Sequence, residues 1–383
     1  MLTCNATYPW RPLGRIVDLF ILPTLCIVGL FLNLACLFVF SRRTIGHAEG
    51  DIVADTWTSK PLSSGEQRFS DGVMSPKRKQ TFQRRAHPLV PTLIVLSVCD
   101  SLQLMFSLFV LFLPALHDHM EMDPWGVVAQ VAYIATGTLA GGLLASNCAS
   151  IWTMCYITVQ RHRAIVKPLS TVNDAKSSTK RVLPLVGIAI MAVVFNAPVW
   201  FQFSWSVYHV DGNRWFLIHQ PSTLALSDDY RKVMHKILYP FAVYFGPLIL
   251  ISVLNMRILS YIALKRIESI GHKRRMARER RSVWLLLSIV ILFFTCHTGG
   301  LIIRFVDQKT YEQSACFIFA KDFVNVLFNV NSFANPMLYF FFTKQFRDLR
   351  TNWGFTRNNS ASKRLIKGVS STKPTQTSLG SQV

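Results

Sequence analysis

The sequence predicts an all-α fold: a bundle of seven membrane-spanning helices, with a short amphipathic helix after the last span. Three observations carry this reading. The chain of 383 residues is 51% hydrophobic and only 16% charged, poor in charge for a soluble protein of its length. Its charges avoid long stretches. Leu19–Phe40, Trp125–Val159, Val182–His209, Ile237–Met256, Ser282–Ile303 and Phe323–Thr343 contain no Asp, Glu, Lys or Arg, and Pro88–Leu116 carries Asp100 alone. Each is long enough to cross about 30 Å of hydrocarbon at about 1.5 Å per residue, whereas a soluble helical protein would show amphipathic stripes. Finally, with the N-terminus outside, most of the 41 Lys and Arg fall in inside segments, as the positive-inside rule requires. The net charge of +21 is then a matter of contact with anionic inner-leaflet lipid, and nucleic-acid binding is disfavoured.

In chain order, residues 1–15 form an outside N-terminus too short for a domain and without a separate signal peptide. The first span is therefore expected to act as the insertion signal. Asn5-Ala6-Thr7 is a glycosylation sequon on the outside, which makes Asn5 a candidate acceptor, although short sequons also arise by chance. Asn33 is a lone amide among Leu and Phe, a residue type that serves interhelical hydrogen bonding. Residues 41–87 lack apolar periodicity, contain Gly, Ser and Pro, and end in Lys77-Arg78-Lys79 and Arg84-Arg85. That stretch reads as a long disordered inside loop, either regulatory or adding nothing to the bundle.

The second span holds Asp100, an ionisable group at mid-membrane, where an unpaired carboxylate costs several kcal/mol. Its natural partners are Asn33, Asn331, Ser332 and Asn335. They suggest a hydrated polar pocket that could hold a sodium ion; the alternative is a protonated structural Asp. The third span ends in Gln160-Arg161-His162-Arg163. The fourth contains Asn196 and Pro198, and a polar, aromatic outside loop covers roughly 206–233. The fifth carries Gly246-Pro247 and Asn255, and a basic amphipathic continuation covers 265–281. The sixth reads Phe293-Phe294-Thr295-Cys296-His297-Thr298-Gly299. The seventh runs through Asn331-Ser332-Phe333-Ala334-Asn335-Pro336-Met337-Leu338-Tyr339, where Pro336 removes a backbone donor and Asn335 demands polar partners: a bendable joint facing the bundle interior, or a merely kinked helix. Thr343–Leu349 alternates basic and apolar residues as an interfacial helix does, and 351–383 is a Ser/Thr-rich tail. No internal repeat points to an inverted-repeat transporter.

In these marks the chain resembles a rhodopsin-like (class A) G-protein-coupled receptor over about residues 16–350: Asn33, Asp100, Arg161, Pro198, Pro247, Cys296, the Asn335–Tyr339 motif and Phe346 occur in the right spans and order. Within that class it looks most similar to invertebrate FMRFamide-type neuropeptide receptors. The resemblance implies an activation switch built from Arg161, Asp100, Asn335, Pro336, Tyr339 and His297, with Glu279 as the acidic partner of Arg161 in the inactive state. It also implies G-protein contacts at Arg161 and Leu169. Departures are visible. Gln160 replaces the acid before Arg161, and His297 and Gly299 replace the tryptophan and proline of the sixth span, Gly299 being still able to loosen the helix. The fourth-span tryptophan is missing, and Asn255 stands where a tyrosine normally helps hold the active state.

Six of the eight cysteines lie within spans. Thr136 occupies the position from which the family ties the third span to the second outside loop, and 205–233 contain no Cys. Cys4 and Cys316 face the oxidising side and are either a candidate disulfide or two free thiols. Leu143 stands where amine receptors carry an Asp, and Asn329 where opsins carry the retinal-linking Lys, so neither a monoamine nor a retinal Schiff base is expected. The resemblance places a candidate pocket at Leu139, Leu143, Asn147, His297, Leu301, Phe305 and Asn325. Asp118, Glu121 and Asp123 form an acidic outside patch that could steer a basic peptide, or a solvated loop without ligand contact.

The expected function is therefore that of a plasma-membrane receptor for an amidated, FMRFamide-like peptide acting through a heterotrimeric G protein. A chemosensory receptor for a small lipophilic molecule is the alternative, with a transporter or channel behind both. No nucleophile–base pair, metal cluster or phosphate loop suggests an enzyme. Ser370, Ser371, Thr372, Thr375, Thr377 and Ser378 are candidate phosphorylation sites for arrestin recruitment, and Ser381-Gln382-Val383 fits a PDZ-binding terminus.

Overall fold

Six helices long and apolar enough to cross a membrane carry the first six charge-poor segments: α1 (Trp10–Ser41), α2 (Val90–His119), α3 (Val127–Val166), α4 (Val182–Gln202), α5 (Asp228–Leu264) and α6 (Leu287–Phe305). The seventh, α7 (Ala315–Phe342), carries Asn325, Asn329, Asn331 and Asn335 within its run of Phe, Val and Leu. This computed structural model describes residues 10–58, 90–166, 178–210, 214–268, 273–306 and 314–342, with only the backbone over 42–58, 178–181, 265–268 and 273–283 and at 210, 214, 285, 286, 339 and 342. Residues up to Pro336 form one unit; a second begins at Met337, and of it 337–342 are described, as helix.

The bundle inverts the pattern of a soluble protein. Phe31, Phe241 and Met256 are 68–72% exposed on the outside, while Asn33, Asp100 and Asn331 are fully buried. That arrangement suits a lipid solvent, in which apolar side chains face out and polar groups must find partners inside. Small apolar clusters fill the space between the polar groups. One joins Cys148 and Ile151 of α3, Tyr239, Val243 and Tyr244 of α5, and Phe293 of α6; another joins Leu22 and Cys26 of α1, Leu104 of α2 and Val326 of α7.

Proline positions explain the irregular turns. The π-helical segments Val17–Ile21, Leu108–Phe112, Arg231–Leu238 and Pro240–Phe245 each contain the residue four places before a proline: Leu19 before Pro23, Val110 before Pro114, Lys236 before Pro240, and Val243 before Pro247. A proline ring clashes with that carbonyl and offers it no donor, and the wider turn relieves both faults without ending the helix.

Two features differ from expectation. The helix that begins in α1 extends to Thr58, into the stretch read as a disordered loop; Ser41–Thr58 contains no proline to stop it, and 59–89 lie outside the described residues. The outside segment after α4 is a hairpin, β1 (Phe203–Val210) paired antiparallel with β2 (Arg214–Pro221), with Phe203 opposite Pro221 and Val207 opposite Leu217. Its alternating Trp205, Val207 and Phe216, Ile218 have the strand period of two.

The hairpin is docked on α3 by hydrogen bonds and rings. Gln130 reads the backbone of Leu217 with both ends of its amide, donating to the carbonyl (3.0 Å) and accepting from the N–H (2.9 Å). Phe216 packs edge-on to Trp125 and Tyr133, and Trp205 lies over Gly137, where any Cβ would collide with its ring. His219 sits edge-on to Phe203, Tyr133 and Trp205, and burial lowers its pKa below the ordinary value. Gln130→Ala should speed deuterium exchange at the Leu217 amide by about tenfold, the loss of about 1–2 kcal/mol of hydrogen bonding, while α3–α5 contacts stay protected. Unchanged exchange across 203–221 would show that the rings alone hold the hairpin.

Candidate functional site

A polar seam runs between α1, α2, α3 and α7, centred on Asp100. One carboxylate oxygen accepts from Ser150 Oγ (2.6 Å) and the other from Asn335 Nδ2 (2.8 Å). Asn33 donates to the carbonyls of Gly29 (3.0 Å) and Ser332 (3.1 Å), and the bare backbone of Gly29 lets Leu104 and Phe333 come close. Ser332 Oγ donates to Gln103 Oε1 (2.8 Å), and Gln103 Nε2 donates to the carbonyl of Phe328 (3.0 Å). Further along α2, Ser107 donates to Asn329 Oδ1 (2.8 Å), and Asn329 Nδ2 donates to the carbonyl of Asn325 (2.8 Å). Gln103 and Ser107 follow Asp100 at spacings of three and seven, one face of a helix.

Of the partners expected for Asp100, Asn335 holds it directly, and Ser150 of α3 joins it unforeseen. Ser332 is also a side-chain hydrogen-bond partner of Asp100 while its hydroxyl donates to Gln103, and Asn33 donates to the Ser332 backbone carbonyl rather than to Asp100. Asn331 does not reach it: both side-chain polar atoms of this buried residue find no partner among the described residues, nor do Ser97 Oγ and Asn335 Oδ1.

At the inner end, Gln160 accepts from Thr92 Oγ1 (3.0 Å), so the residue in the place of the family's acid is tied to α2. Arg161 is half-buried. The side chains of Glu279 and Tyr339, and Leu169 entirely, lie outside the described residues, as do Cys4, Asn5, the interfacial helix and the tail motifs. Cys316 is disulfide-bonded, and its proposed partner, Cys4, falls outside the description, while Cys26, Cys36, Cys99, Cys148, Cys155 and Cys296 are buried free thiols.

A cleft between α3, α5, α6 and α7 is lined by Asn147, Tyr239, Pro240, Val243, Tyr244, His297, Gly300, Leu301, Arg304 and Phe328. It measures about 290 Å³ counting its open mouth. Asn147, His297 and Leu301 are therefore brought together as expected. Leu139, Leu143, Phe305 and Asn325 are not among the lining. The one α3 residue in the lining is Asn147, a turn beyond Leu143; Phe305 is 53% exposed; and Asn325 gives its carbonyl to Asn329. The α5 wall and Arg304 were missed, although Arg304 is the first charge after the apolar run of α6.

The cleft is built by close packing. The His297 ring stacks on Phe293 (4.4 Å, 14°), and Tyr244 Oη lies 3.0 Å from Thr298 Oγ1. Gly299 does not loosen α6: the helix Lys273–Phe305 passes through it unbroken. A Cβ there would meet Val324, and one at Gly300 the Phe328 ring, so both glycines serve the approach of α7. Arg304 lies over the Tyr239 ring (3.7 Å to its centroid) and donates from Nη1 to His235 Nδ1 (3.2 Å).

The acidic patch stands apart from the cleft. Asp118 contacts His117 (3.1 Å), Asp123 Oδ1 accepts from the Trp125 N–H (3.0 Å) in a turn, and Glu121 is exposed in a left-handed conformation (φ 49°).

A family model described as 7 transmembrane receptor (rhodopsin family) matches residues 93–339, well over half of the chain. This chain belongs to that family. Similar proteins include Opsin-1 of Manduca sexta, 25% identical over 234 residues that make up 58% of each chain. The Urotensin-2 receptor of Homo sapiens is 27% identical over 207 residues (52% of this chain, 49% of the receptor), and Neuropeptide FF receptor 2 of Rattus norvegicus 22% identical over 222 residues (53% and 51%). The chain thus matches about half the length of these relatives. Rhodopsin-family membership makes it a multi-pass membrane protein of a signalling class rather than an enzyme class.

Because Gln103 serves both Ser332 and the Phe328 carbonyl, Gln103→Ala should lower the unfolding free energy of the purified receptor by about 1–3 kcal/mol, the penalty for orphaned buried polar groups. A loss below about 0.5 kcal/mol would mean that water replaces the amide without penalty.

Proposed function

We propose that this rhodopsin-family protein is a plasma-membrane receptor, N-terminus outside, for an amidated neuropeptide of the FMRFamide-like class, acting through a heterotrimeric G protein. The observation that carries the reading is the composition of the cleft. Its lining has aromatic and aliphatic walls, a few polar anchors and a guanidinium, but no carboxylate to pair an ammonium and no lysine to form a Schiff base. Asn329, where opsins have that lysine, is spent on Ser107 and Asn325. Several relatives are named as receptors for peptides: urotensin-2, neuropeptide FF and, in Rattus norvegicus, neuromedin-U receptor 2.

In this reading the agonist favours the state in which the inner end of α6 moves outward, separates Arg161 from Glu279, and opens a cleft for the G protein, with Leu169 as a further contact. It does so only by its differential affinity for the two states. The oxygens of Asp100, Ser97, Asn331 and Asn335 are the hard donors a sodium ion would take between α2 and α7.

A second-messenger assay in transfected cells tests the function. Calcium and cAMP are read in parallel against a panel of amidated peptides, with Arg161→Ala as control. Activation at nanomolar to micromolar peptide, lost in the control, is the expected result. Silence at confirmed surface expression, followed by responses to lipophilic small molecules, would replace it with the chemosensory reading.

A further inference from the structure

We infer that Asp18, His119 and Asp322, at the ends of α1, α2 and α7 nearest the N-terminus, form a proton site that tightens the clasp between these helices when the medium on that side is acidified. The inference goes beyond the ligand reading, and the orientation proposed above makes that side the outside of the cell. Asp18 stands one residue before the charge-free run of α1 and is 7% exposed. Its Oδ2 lies 3.3 Å from Nε2 of His119, the last residue of α2, so one hydrogen is held between a carboxylate and an imidazole on two helices. His119 is gripped a second time, because Arg15 Nη2 donates to its backbone carbonyl (2.7 Å). On the third helix, Asp322 stands one residue before the charge-free run of α7, is half-buried, and lies within electrostatic reach of both Asp18 and His119. One turn before it, Phe319 packs on Trp10 (5.3 Å between ring centroids) and joins α7 to α1.

Two carboxylates here face one imidazole, and the cations nearby do little to reconcile them. Arg15 is spent on a backbone carbonyl, and Arg11 is exposed. Lys321, exposed and over the Phe317 ring (5.9 Å), weighs less on Asp322 than Asp18 does. One further proton, on the ring or on a carboxylate, turns repulsion into attraction or removes one of the charges. In a group coupled in this way it belongs to all three residues rather than to one. The His119 side chain is 27% exposed, so water can deliver it. When the helix ends part, each group is solvated singly and the advantage is lost. The closed clasp therefore binds more protons than the open one, and its stability grows as pH falls. Among the described residues no three such side chains converge closely enough to hold a metal ion, which leaves the proton as the cation that fits. The neighbouring pair of His117 and Asp118 (3.1 Å) lies within α2 and joins no second helix.

The test is hydrogen–deuterium exchange of the purified full-length receptor at pH 7.5 and pH 5.5 (~2 units apart), with rates corrected for the intrinsic pH dependence of amide exchange. Between the two, protection of the amides at 16–21 and 113–119 should rise about fivefold at the acid pH. The reference is α4, which has no titratable side chain between Val182 and Gln202 and should not change. In the double variant His119→Gln/Asp322→Asn, Asp18 keeps an amide donor but has no group with which to share a proton, and the ratio should shrink to within about 1.5-fold. His117→Gln should leave the fivefold ratio in place. Equal or weaker protection of the wild type at acid pH would overturn the inference, as would a ratio that survives in the double variant. A ratio lost in His117→Gln would also overturn it, by moving the titration to the pair within α2. The measurement needs neither agonist nor G protein, so a silent peptide assay leaves it standing.

Discussion

The structure depends on burying one carboxylate at membrane depth. Asp100 is fully inside, and a carboxylate there is tolerable only if each oxygen is held. Ser150 and Asn335 hold it from α3 and α7. Around that pair, Asn33, Gln103, Ser107, Ser332 and Asn329 extend the same hydrogen-bonding logic, so α2 is bonded to α7 at three successive levels. In lipid there is no hydrophobic gain from bringing two apolar helices together, and this seam supplies part of what replaces it. Of the four asparagines of α7, Asn329 and Asn335 bond α2 through their side chains and so help to fix the helix in the bundle.

Two other devices replace what the family usually supplies. With Thr136 in place of a cysteine on α3, the outside hairpin is fastened by the Gln130 fork, the Phe216 rings and Trp205 over Gly137. With Gly299 in place of a proline in α6, that helix stays unbroken and its glycines admit Val324 and Phe328 of α7. The irregular turns sit instead in the π segments before Pro23, Pro114, Pro240 and Pro247, two of them within α5.

The spans were legible in the sequence because charge avoidance over a membrane thickness has no other common cause. Asn33, Asp100 and Asn335 stood out for the same reason: a polar residue among Leu and Phe is expensive. The pairing inside the seam was only half legible. Ser150 and Gln103 look ordinary in sequence, and which amide reaches which oxygen depends on helix rotation that composition does not encode. On α3 the cleft is lined by Asn147 and not by Leu139 or Leu143. Arg304 could have been found as the lone charge closing an apolar run. The hairpin's strand alternation was present but shorter than the apolar signals on either side.

The most direct test of the Asp100 seam is a double-mutant cycle of Ser150→Ala and Asn335→Ala, read as unfolding free energy of the purified receptor. If both side chains satisfy one buried carboxylate, the two losses should be coupled by at least about 0.5 kcal/mol. Additivity within about 0.3 kcal/mol would mean that the two contacts act independently and that Asp100 is not the centre on which the helices depend.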